Sequence, residues 1–267
     1  MKAPCLPGRW IGTGSADTFN RKMFQRNFTM ANELHINAAA ELIRTNLARF
    51  GRDRLVLATS FSIEDQVLTH LLIGIEPGAR IFTLDTGRQF QETYNVQMET
   101  QEKYGIRFEV LVPESDPLAD FISANGPNAF YGSIPLRKQC CEIRKLQPLR
   151  KVLNTADAWI CGLRQAQSIT RTAVKPFERD EAFQIYKINP LWNWSEEQVW
   201  DYVDAHKIPY NPLQKKGFPS IGCAPCTRAV RPGDDIRSGR WWWESPEHKE
   251  CGLHRPGTQT TAASEVK

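Results

Sequence analysis

Short, mostly apolar runs alternate with helix-forming segments between residues 55 and 161, and this alternation restricts the chain to few folds. The runs cover residues 55–59, 81–84, 108–112 and 159–161. Strands that are buried on both faces read as continuous apolar sequence, whereas half-exposed strands alternate with polar residues. Because helical segments separate these runs, the pattern predicts an α/β fold with a parallel sheet flanked by helices.

Apolar spacing and capping residues predict the helices around this sheet. Apolar residues at three- and four-residue intervals predict a helix over 32–50, and Gly51 follows it as a cap. Further helices are predicted over 67–72, from Phe90 onward and over about 140–154. A last strand, 184–188, is followed by Ser195-Glu196-Glu197-Gln198, which has the form of a capping box at a helix start.

The chain of 267 residues divides into three predicted segments. Residues 1–28 have mixed Pro, Gly, Ser and charged residues without a period, and we expect an irregular arm. Residues 29–240 form the α/β domain. Residues 241–267 form a C-terminal segment that ends in a polar, disordered tail.

Composition excludes several classes of protein. No run of 18 apolar residues occurs, so no membrane span is predicted. The N-terminus has no apolar signal region, so we expect a cytoplasmic protein. A net charge of +4 is too small by itself to indicate a nucleic-acid partner.

Polar residues follow the ends of three predicted strands. They occupy residues 59–66, 84–88 and 161–171. Ligands of parallel sheets bind beyond the carboxyl ends of the strands, so we expect these three loops to converge in space. Hydroxyl groups at a strand-to-helix turn suit an anion, because backbone N–H groups point outward there.

Each loop also has an ordinary structural explanation. Ser62 is a suitable N-cap, and Gly87 is a suitable turn residue. Arg164 and Arg171 suit a phosphate site, but they also suit a solvated loop.

Four cysteines form two pairs, Cys140-Cys141 and Cys223-x-x-Cys226. Structural zinc sites usually take a C-x-x-C pair from both halves. Adjacent helical residues instead point about 100° apart, which suits the separated corners of a four-iron cluster with thiolate ligands. Zinc and plain buried cysteines stay as alternatives. Basic residues flank both pairs, namely Arg137, Lys138, Arg144, Lys145 and Arg228.

Cys251 stands apart from these pairs, in a charged segment near the C-terminus. His248 and His254 could stabilise its thiolate, which is the reactive form of cysteine. The alternative is an incidental surface thiol. Cys5 and Cys161 are predicted to have no direct chemical role.

Seven short motifs occur in a fixed order over roughly residues 50–254. They are Ser60-Phe61-Ser62-x-Glu64-Asp65, Leu84-Asp85-Thr86-Gly87-Arg88, Cys140-Cys141-x-x-Arg144-Lys145, Gly162-x-Arg164-x-x-Gln167-Ser168-x-x-Arg171, Gly222-Cys223-x-Pro225-Cys226-Thr227-Arg228, Arg237-x-Gly239-Arg240-Trp241-Trp242-Trp243 and Lys249-Glu250-Cys251-Gly252-Leu253-His254. This set resembles the assimilatory adenylyl-sulfate reductases, within the family that also contains 3'-phosphoadenylyl-sulfate reductases.

The resemblance implies a fold like that of the adenine-nucleotide alpha hydrolases, related to the ATP pyrophosphatases. It implies reduction of adenylyl sulfate to sulfite and AMP, as a step of sulfate assimilation toward cysteine. Thioredoxin, or a glutaredoxin-like protein, would supply the electrons. It also implies a [4Fe-4S] cluster on Cys140, Cys141, Cys223 and Cys226.

The resemblance assigns roles to individual residues of this sequence. Cys251 would attack the sulfate sulfur and form an S-sulfocysteine. The adenine and ribose would contact the loops after three strands, and the phosphosulfate would contact basic side chains. The predicted substrate-binding residues are Ser60, Ser62, Leu84, Thr86, Lys145, Gly162, Arg164, Arg171, Arg237, Arg240 and His254.

Three other functions stay open at this point. The first is reduction of 3'-phosphoadenylyl sulfate. The second is an iron–sulfur tRNA-thiolating enzyme, but its Gly-rich loop is missing, since Phe61 and Ile63 are bulky. The third is a zinc module that binds nucleic acid through arginines and the tryptophans of 241–243. The oligomeric state, including a homo-oligomer, is also open.

Overall fold

The structure is a computed structural model that describes residues 16–167 and 173–245, with side chains described from residue 32. The chain divides into two compact units, Met1–Ala38 and Ala39–Lys267. Helix α1 (Ala16–Phe50) continues from the first unit into the second. Among the described residues, no helix is both long and apolar enough to cross a membrane.

Helix α1 corrects the prediction for the N-terminal arm. It begins at Ala16 rather than near Asn32, so residues 16–28 are helical and not irregular. Residues 16–31 contain neither Gly nor Pro, and therefore no residue in this stretch breaks a helix. The prediction grouped this stretch with residues 1–14, which do contain Gly and Pro, although Phe19, Met23, Phe24 and Phe28 fall at helical spacings.

The second unit is built on a six-stranded sheet with the order β3-β2-β1-β4-β6-β5. All neighbouring pairs are parallel except β5 and β6. The predicted α/β fold with a parallel sheet is confirmed, apart from one antiparallel edge. The strands are β1 (Leu55–Thr59), β2 (Arg80–Leu84), β3 (Glu109–Leu111), β4 (Ala158–Ile160), β5 (Phe177–Asp180) and β6 (Ile185–Ile188).

The antiparallel strand β5 was not predicted. Its sequence, Phe-Glu-Arg-Asp, is polar, and it pairs with β6 through a short turn. Gln184 in this turn has a positive φ of 57°. An edge strand needs few apolar residues, so continuous apolar sequence is a poor guide to it.

Within residues 16–167 and 173–245, six further α-helices accompany the strands. Helix α2 is capped by Ser62, and α7 begins with the predicted capping box at Ser195. The helix predicted over 140–154 starts earlier and contains a π-helical turn, Glu142–Leu146, between α5 and α6. The helices are α2 (Ile63–Ile75), α3 (Gln91–Tyr104), α4 (Ser115–Asn125), α5 (Ile134–Cys141), α6 (Gln147–Leu153) and α7 (Glu196–His206).

The strand order reverses direction between β1 and β4. From β1 the chain moves outward through β2 and β3, and then returns to β4 on the other side of β1. Side chains from β1, β2 and β4, including Val56, Phe82 and Trp159, form one buried core with α6. The carboxyl ends of two diverging strands leave a crevice at such a reversal, and this is where α/β sheets bind ligands.

Candidate active site

A cleft of about 340 Å³ opens at the carboxyl ends of β1, β2 and β4. The three polar loops predicted to converge all line it. Nine of the predicted substrate-binding residues contribute to its walls, namely Ser60, Ser62, Leu84, Thr86, Lys145, Gly162, Arg164, Arg237 and Arg240. The remaining predicted site residues, Arg171, Cys251 and His254, lie outside the described residues.

Asp65, in the first turn of α2, holds the loop between β1 and α2 in place. The backbone N–H and the hydroxyl of Ser60 both donate to Asp65 Oδ2, each at 2.7 Å. Burial raises the pKa of Asp65 to about 6. Phe61 adopts a positive φ of 58°, and its buried ring packs edge-on against Phe108. The bulky residues of this loop therefore belong partly to the core.

Arg164 forms a buried ion pair with Glu64. Its Nε and Nη2 atoms donate to Glu64 Oε1 at 3.0 and 2.8 Å, and both side chains are buried. Its Nη1 atom donates to the carbonyl of Trp194 at 3.2 Å. The contacts present thus hold the loop after β4 against the start of α2. A contact between Arg164 and substrate stays a prediction.

Arg240 lies in the wall of the cleft, between Trp241 and Gly222. Its guanidinium lies 4.9 Å from the ring centre of Trp241, which is fully buried. A Cβ on Gly222 would lie 2.2 Å from Arg240 Nη2. A larger residue at position 222 would therefore displace this guanidinium. Lys145 and Arg240 both act on the pKa of the Cys223 thiol, and Arg237 lines the cleft with them. We call this positively charged part of the wall the cationic end.

The two cysteine pairs meet beside this cationic end. Cys141, Cys223 and Cys226 are buried together with Phe130 and Trp241, and Cys140 packs against them. All five cysteines in the described part of the chain, these four and Cys161, are free thiols. We call the small space between the four the cysteine cavity.

The donor atoms that the cysteine cavity offers to a metal are four thiol sulfurs. Within residues 16–167 and 173–245, no three or more His, Cys, Asp or Glu side chains are arranged to hold a metal ion. The donor set nevertheless fits a thiolate-ligated cluster, because four free thiols line one largely apolar cavity.

Charges around the cavity act differently on its thiols. Burial raises the pKa of Cys226 to about 12, and burial also raises the pKa of Cys140. Burial also acts to raise the pKa of Cys223. The positive charge of Lys145, a hydrogen bond with Thr86 and two arginines outweigh burial, so the pKa of Cys223 is lowered. Of these three thiols, Cys223 is the one whose ionised form is favoured by its surroundings.

The cleft and the cysteine cavity share walls. Lys145 and Cys223 line both of them. The Thr86 hydroxyl lies 3.2 Å from Cys223 Sγ, and Arg144 Nη1 donates to the Thr86 carbonyl at 2.5 Å. The loop after β2 is thus attached directly to the cysteines, so a ligand in the cleft would lie next to them.

Several residues of the site were not assigned from the sequence. Glu64, Asp65 and Gly222 occur in the sequence motifs, but the motifs assign them no individual role. Trp200 and Gln214 also line the cleft. The spacing of the sequence carries no signal for them, because their roles depend on contacts between distant segments.

Comparison with solved structures first defines the class of fold. An FMN adenylyltransferase from Candida glabrata, in complex with FAD and inorganic pyrophosphate, matches with a TM-score of 0.54 and 16% identity, over 80% of this chain and 73% of that chain. A phosphoadenylyl-sulfate reductase from Candida auris, in complex with phosphate, matches with a TM-score of 0.61 and 25% identity, over 72% of this chain and 90% of that chain. The fold is therefore of the adenine-nucleotide alpha-hydrolase-like class.

Comparison of sequences then defines the family. The phosphoadenosine phosphosulfate reductase domain matches residues 54–229. An adenosine 5'-phosphosulfate reductase from Allochromatium vinosum is 50% identical over 203 residues, which are 76% of this chain and 79% of that protein. Its counterpart from Burkholderia cepacia is 46% identical over 219 residues, 81% of this chain and 88% of that protein. The chain belongs to the phosphoadenosine phosphosulfate reductase family, whose members are oxidoreductases that act on a sulfur group.

Proposed function

We propose that this enzyme reduces adenylyl sulfate to sulfite and AMP, with electrons from a dithiol protein such as thioredoxin, in sulfate assimilation. The observation that carries the proposal is the shared wall between cleft and cysteine cavity at Lys145 and Cys223. A cleft of about 340 Å³ lies within the range of small-molecule sites. The relatives named adenosine 5'-phosphosulfate reductase support the choice of substrate.

The first step is nucleophilic attack on sulfur. Anionic oxygens shield the sulfur of a sulfate group, so a thiolate can attack it only when that charge is neutralised. Lys145, Arg237 and Arg240 stand at the cationic end of the cleft for this purpose. The Cys251 thiolate forms a bond to sulfur, the bond between sulfur and the bridging phosphate oxygen breaks, and AMP leaves. Cys251 then carries an S-sulfo group.

The second step releases sulfite. A thiolate of the reductant attacks Cys251 Sγ and forms a mixed disulfide, while sulfite departs with the electron pair of the bond between the two sulfurs. The second thiol of the reductant then attacks the mixed disulfide and frees the Cys251 thiolate. One dithiol is oxidised to a disulfide, and the sulfur of the substrate is reduced by two electrons.

The anchor of the C-terminal segment supports this role for Cys251. Glu244 is buried in an ion pair with Arg137, beside the cysteines. Cys251 follows Glu244 by seven residues, a length of chain that reaches at most about 25 Å. A segment of this length, which follows Arg240 in the wall of the cleft, is long enough for the proposed attack by Cys251.

A [4Fe-4S] cluster on Cys140, Cys141, Cys223 and Cys226 is part of the proposal. The four thiols line a single cavity, and Lys145, Arg144 and Arg88 line it as well. Such cations offset the negative charge of a cluster with four thiolates. When bound, the cluster would supply fixed charge next to the cationic end of the cleft.

A comparison of two substrates tests the proposed function. The purified enzyme with thioredoxin is assayed for sulfite release from adenylyl sulfate and from its 3'-phosphorylated form. We expect a higher kcat/KM for adenylyl sulfate. A preference for the 3'-phosphorylated nucleotide would replace the proposed substrate by the alternative, and release of sulfite from neither would refute both.

A further inference from the structure

We propose that Asp65 is a positioning residue that sets the distance between two loops of the cleft, the one at Ser60 and the one at Gly162. The proposal rests on the proposed function, because it assumes that the nucleotide contacts these loops. Asp65 was not among the predicted substrate-binding residues, although it lines the cleft.

One oxygen of Asp65 fixes the first loop. Oδ2 accepts both hydrogen bonds that Ser60 can donate, one from the backbone N–H and one from the hydroxyl, at 2.7 Å each. Asp65 is itself at the start of α2, where its N–H donates to Ser62 Oγ at 3.3 Å. The position of Ser60 is therefore tied to the helix rather than left to a flexible turn.

The other oxygen of Asp65 lies against the second loop. A Cβ on Gly162 would lie 2.5 Å from Asp65 Oδ1 and 3.0 Å from Glu64 Cβ. The need for glycine at position 162 comes from this close approach. The carboxylate thus acts as a spacer between the ends of β1 and β4, at the reversal of strand order where the crevice forms.

A separate set of hydrogen bonds, made by Glu64, joins the same region of the cleft. Glu64 accepts from Arg164 and from Gln167 Nε2, the latter at 2.9 Å, and so joins α2 to the loop after β4. Asp65 has no cation among its hydrogen-bond partners in the described residues. A buried carboxylate whose charge is disfavoured by burial contributes little to stability by itself. This division of roles indicates that Asp65 shapes the cleft.

Binding of AMP to the full-length enzyme tests this role without dependence on reduction. In Asp65→Ala both Ser60 donors lose their acceptor, and we expect roughly tenfold weaker binding of AMP. In Asp65→Asn the amide oxygen can still accept both hydrogen bonds, and we expect affinity within about threefold of the unsubstituted enzyme. In the assay with adenylyl sulfate, Asp65→Ala should raise KM more than it lowers kcat.

A double-substitution cycle separates positioning from general stability. When Asp65 is present, Gly162→Ala should weaken AMP binding. In the Asp65→Ala background the same substitution should have a smaller effect, because part of the steric conflict with the new Cβ is gone. Gly74→Ala is the matched control, since a Cβ at position 74 meets no atom within 4 Å. It should leave AMP binding unchanged.

The outcomes distinguish the two levels of the proposal. If the unsubstituted enzyme fails to bind AMP, the proposed function itself is wrong. If it binds AMP, but Asp65→Ala binds equally well, or the effects of Asp65→Ala and Gly162→Ala are strictly additive, the positioning role is overturned.

Discussion

Arg137 and Glu244 form a bidentate ion pair that is almost completely buried. Arg137 Nε donates to Glu244 Oε1 at 2.9 Å, and Nη2 donates to Oε2 at 2.6 Å. The two side chains are only 2% and 3% exposed. The guanidinium also lies 4.7 Å from the ring centre of Trp241. This pair fastens residues 241–244 to α5, the helix that carries Cys140 and Cys141. The predicted domain boundary at residue 240 therefore does not coincide with a break in packing.

Substitution of Glu244 by Gln should strongly destabilise the protein. It leaves the Arg137 guanidinium buried without its counter-charge, and we expect a loss of about 3–5 kcal/mol in the free energy of unfolding, measured by denaturant titration. Glu142→Gln is the matched control, because it removes the acidic partner of Arg150 in an exposed pair. That substitution should cost at most about 1 kcal/mol. Equal costs for the two variants would contradict the role of the buried pair.

Substitution of Cys251 by Ser should abolish turnover. A serine hydroxyl is scarcely ionised at neutral pH and cannot act as the attacking thiolate. We expect sulfite release to fall to background, whereas AMP binding and iron content stay unchanged. Cys5→Ser is the control for loss of a thiol outside the described residues, and it should retain full activity. Turnover by the Cys251→Ser enzyme at a normal rate would remove Cys251 from the mechanism.

Substitution of Cys140 by Ser should remove bound iron and sulfide, because a four-iron cluster needs its thiolate ligands. Iron and acid-labile sulfide are measured in the purified protein, together with its visible absorbance. Cys161→Ser is the control, since Cys161 is a buried thiol in the core formed by β1, β2 and β4 and not in the cysteine cavity. Stoichiometric zinc without iron or sulfide in the unsubstituted protein would refute the cluster.

The central strands could be predicted from the sequence, but the periphery could not. Strands β1, β2 and β4 are buried on both faces, and their continuous apolar sequence is a direct result. Strand β5 is polar, and the N-terminal part of helix α1 follows residues that contain Gly and Pro, so composition alone does not predict either segment. Their prediction would require the turn at Gln184 and the partners of each segment to be known.

The candidate site also has parts that could be predicted from the sequence and parts that could not. The loops at strand ends could be predicted, because the topology of a parallel sheet brings all carboxyl ends to one edge. The pairing of Arg164 with Glu64 joins residues 100 positions apart. No local sequence pattern indicates this buried ion pair, so it could not be predicted from the sequence. The close approach of Gly162 to Asp65 has the same origin in tertiary packing.

The stability of the fold should depend on pH through Asp65. Burial raises the pKa of this carboxyl from 3.8 to about 6, although hydrogen bonds from Ser60 act in the opposite sense. The folded state therefore binds this proton more tightly than the unfolded state does. The stabilising contribution of the proton is fully present below the unfolded pKa and is lost as the pH rises through about 6.

Asp65→Asn isolates this effect, because the amide does not titrate. The free energy of unfolding of the unsubstituted protein, minus that of Asp65→Asn, should decrease between pH 3.8 and about pH 6 and then level off. A difference that increases with pH would mean that the folded protein favours the ionised carboxylate. In that case the hydrogen bonds from Ser60 would outweigh burial, and Asp65 would stabilise the fold directly.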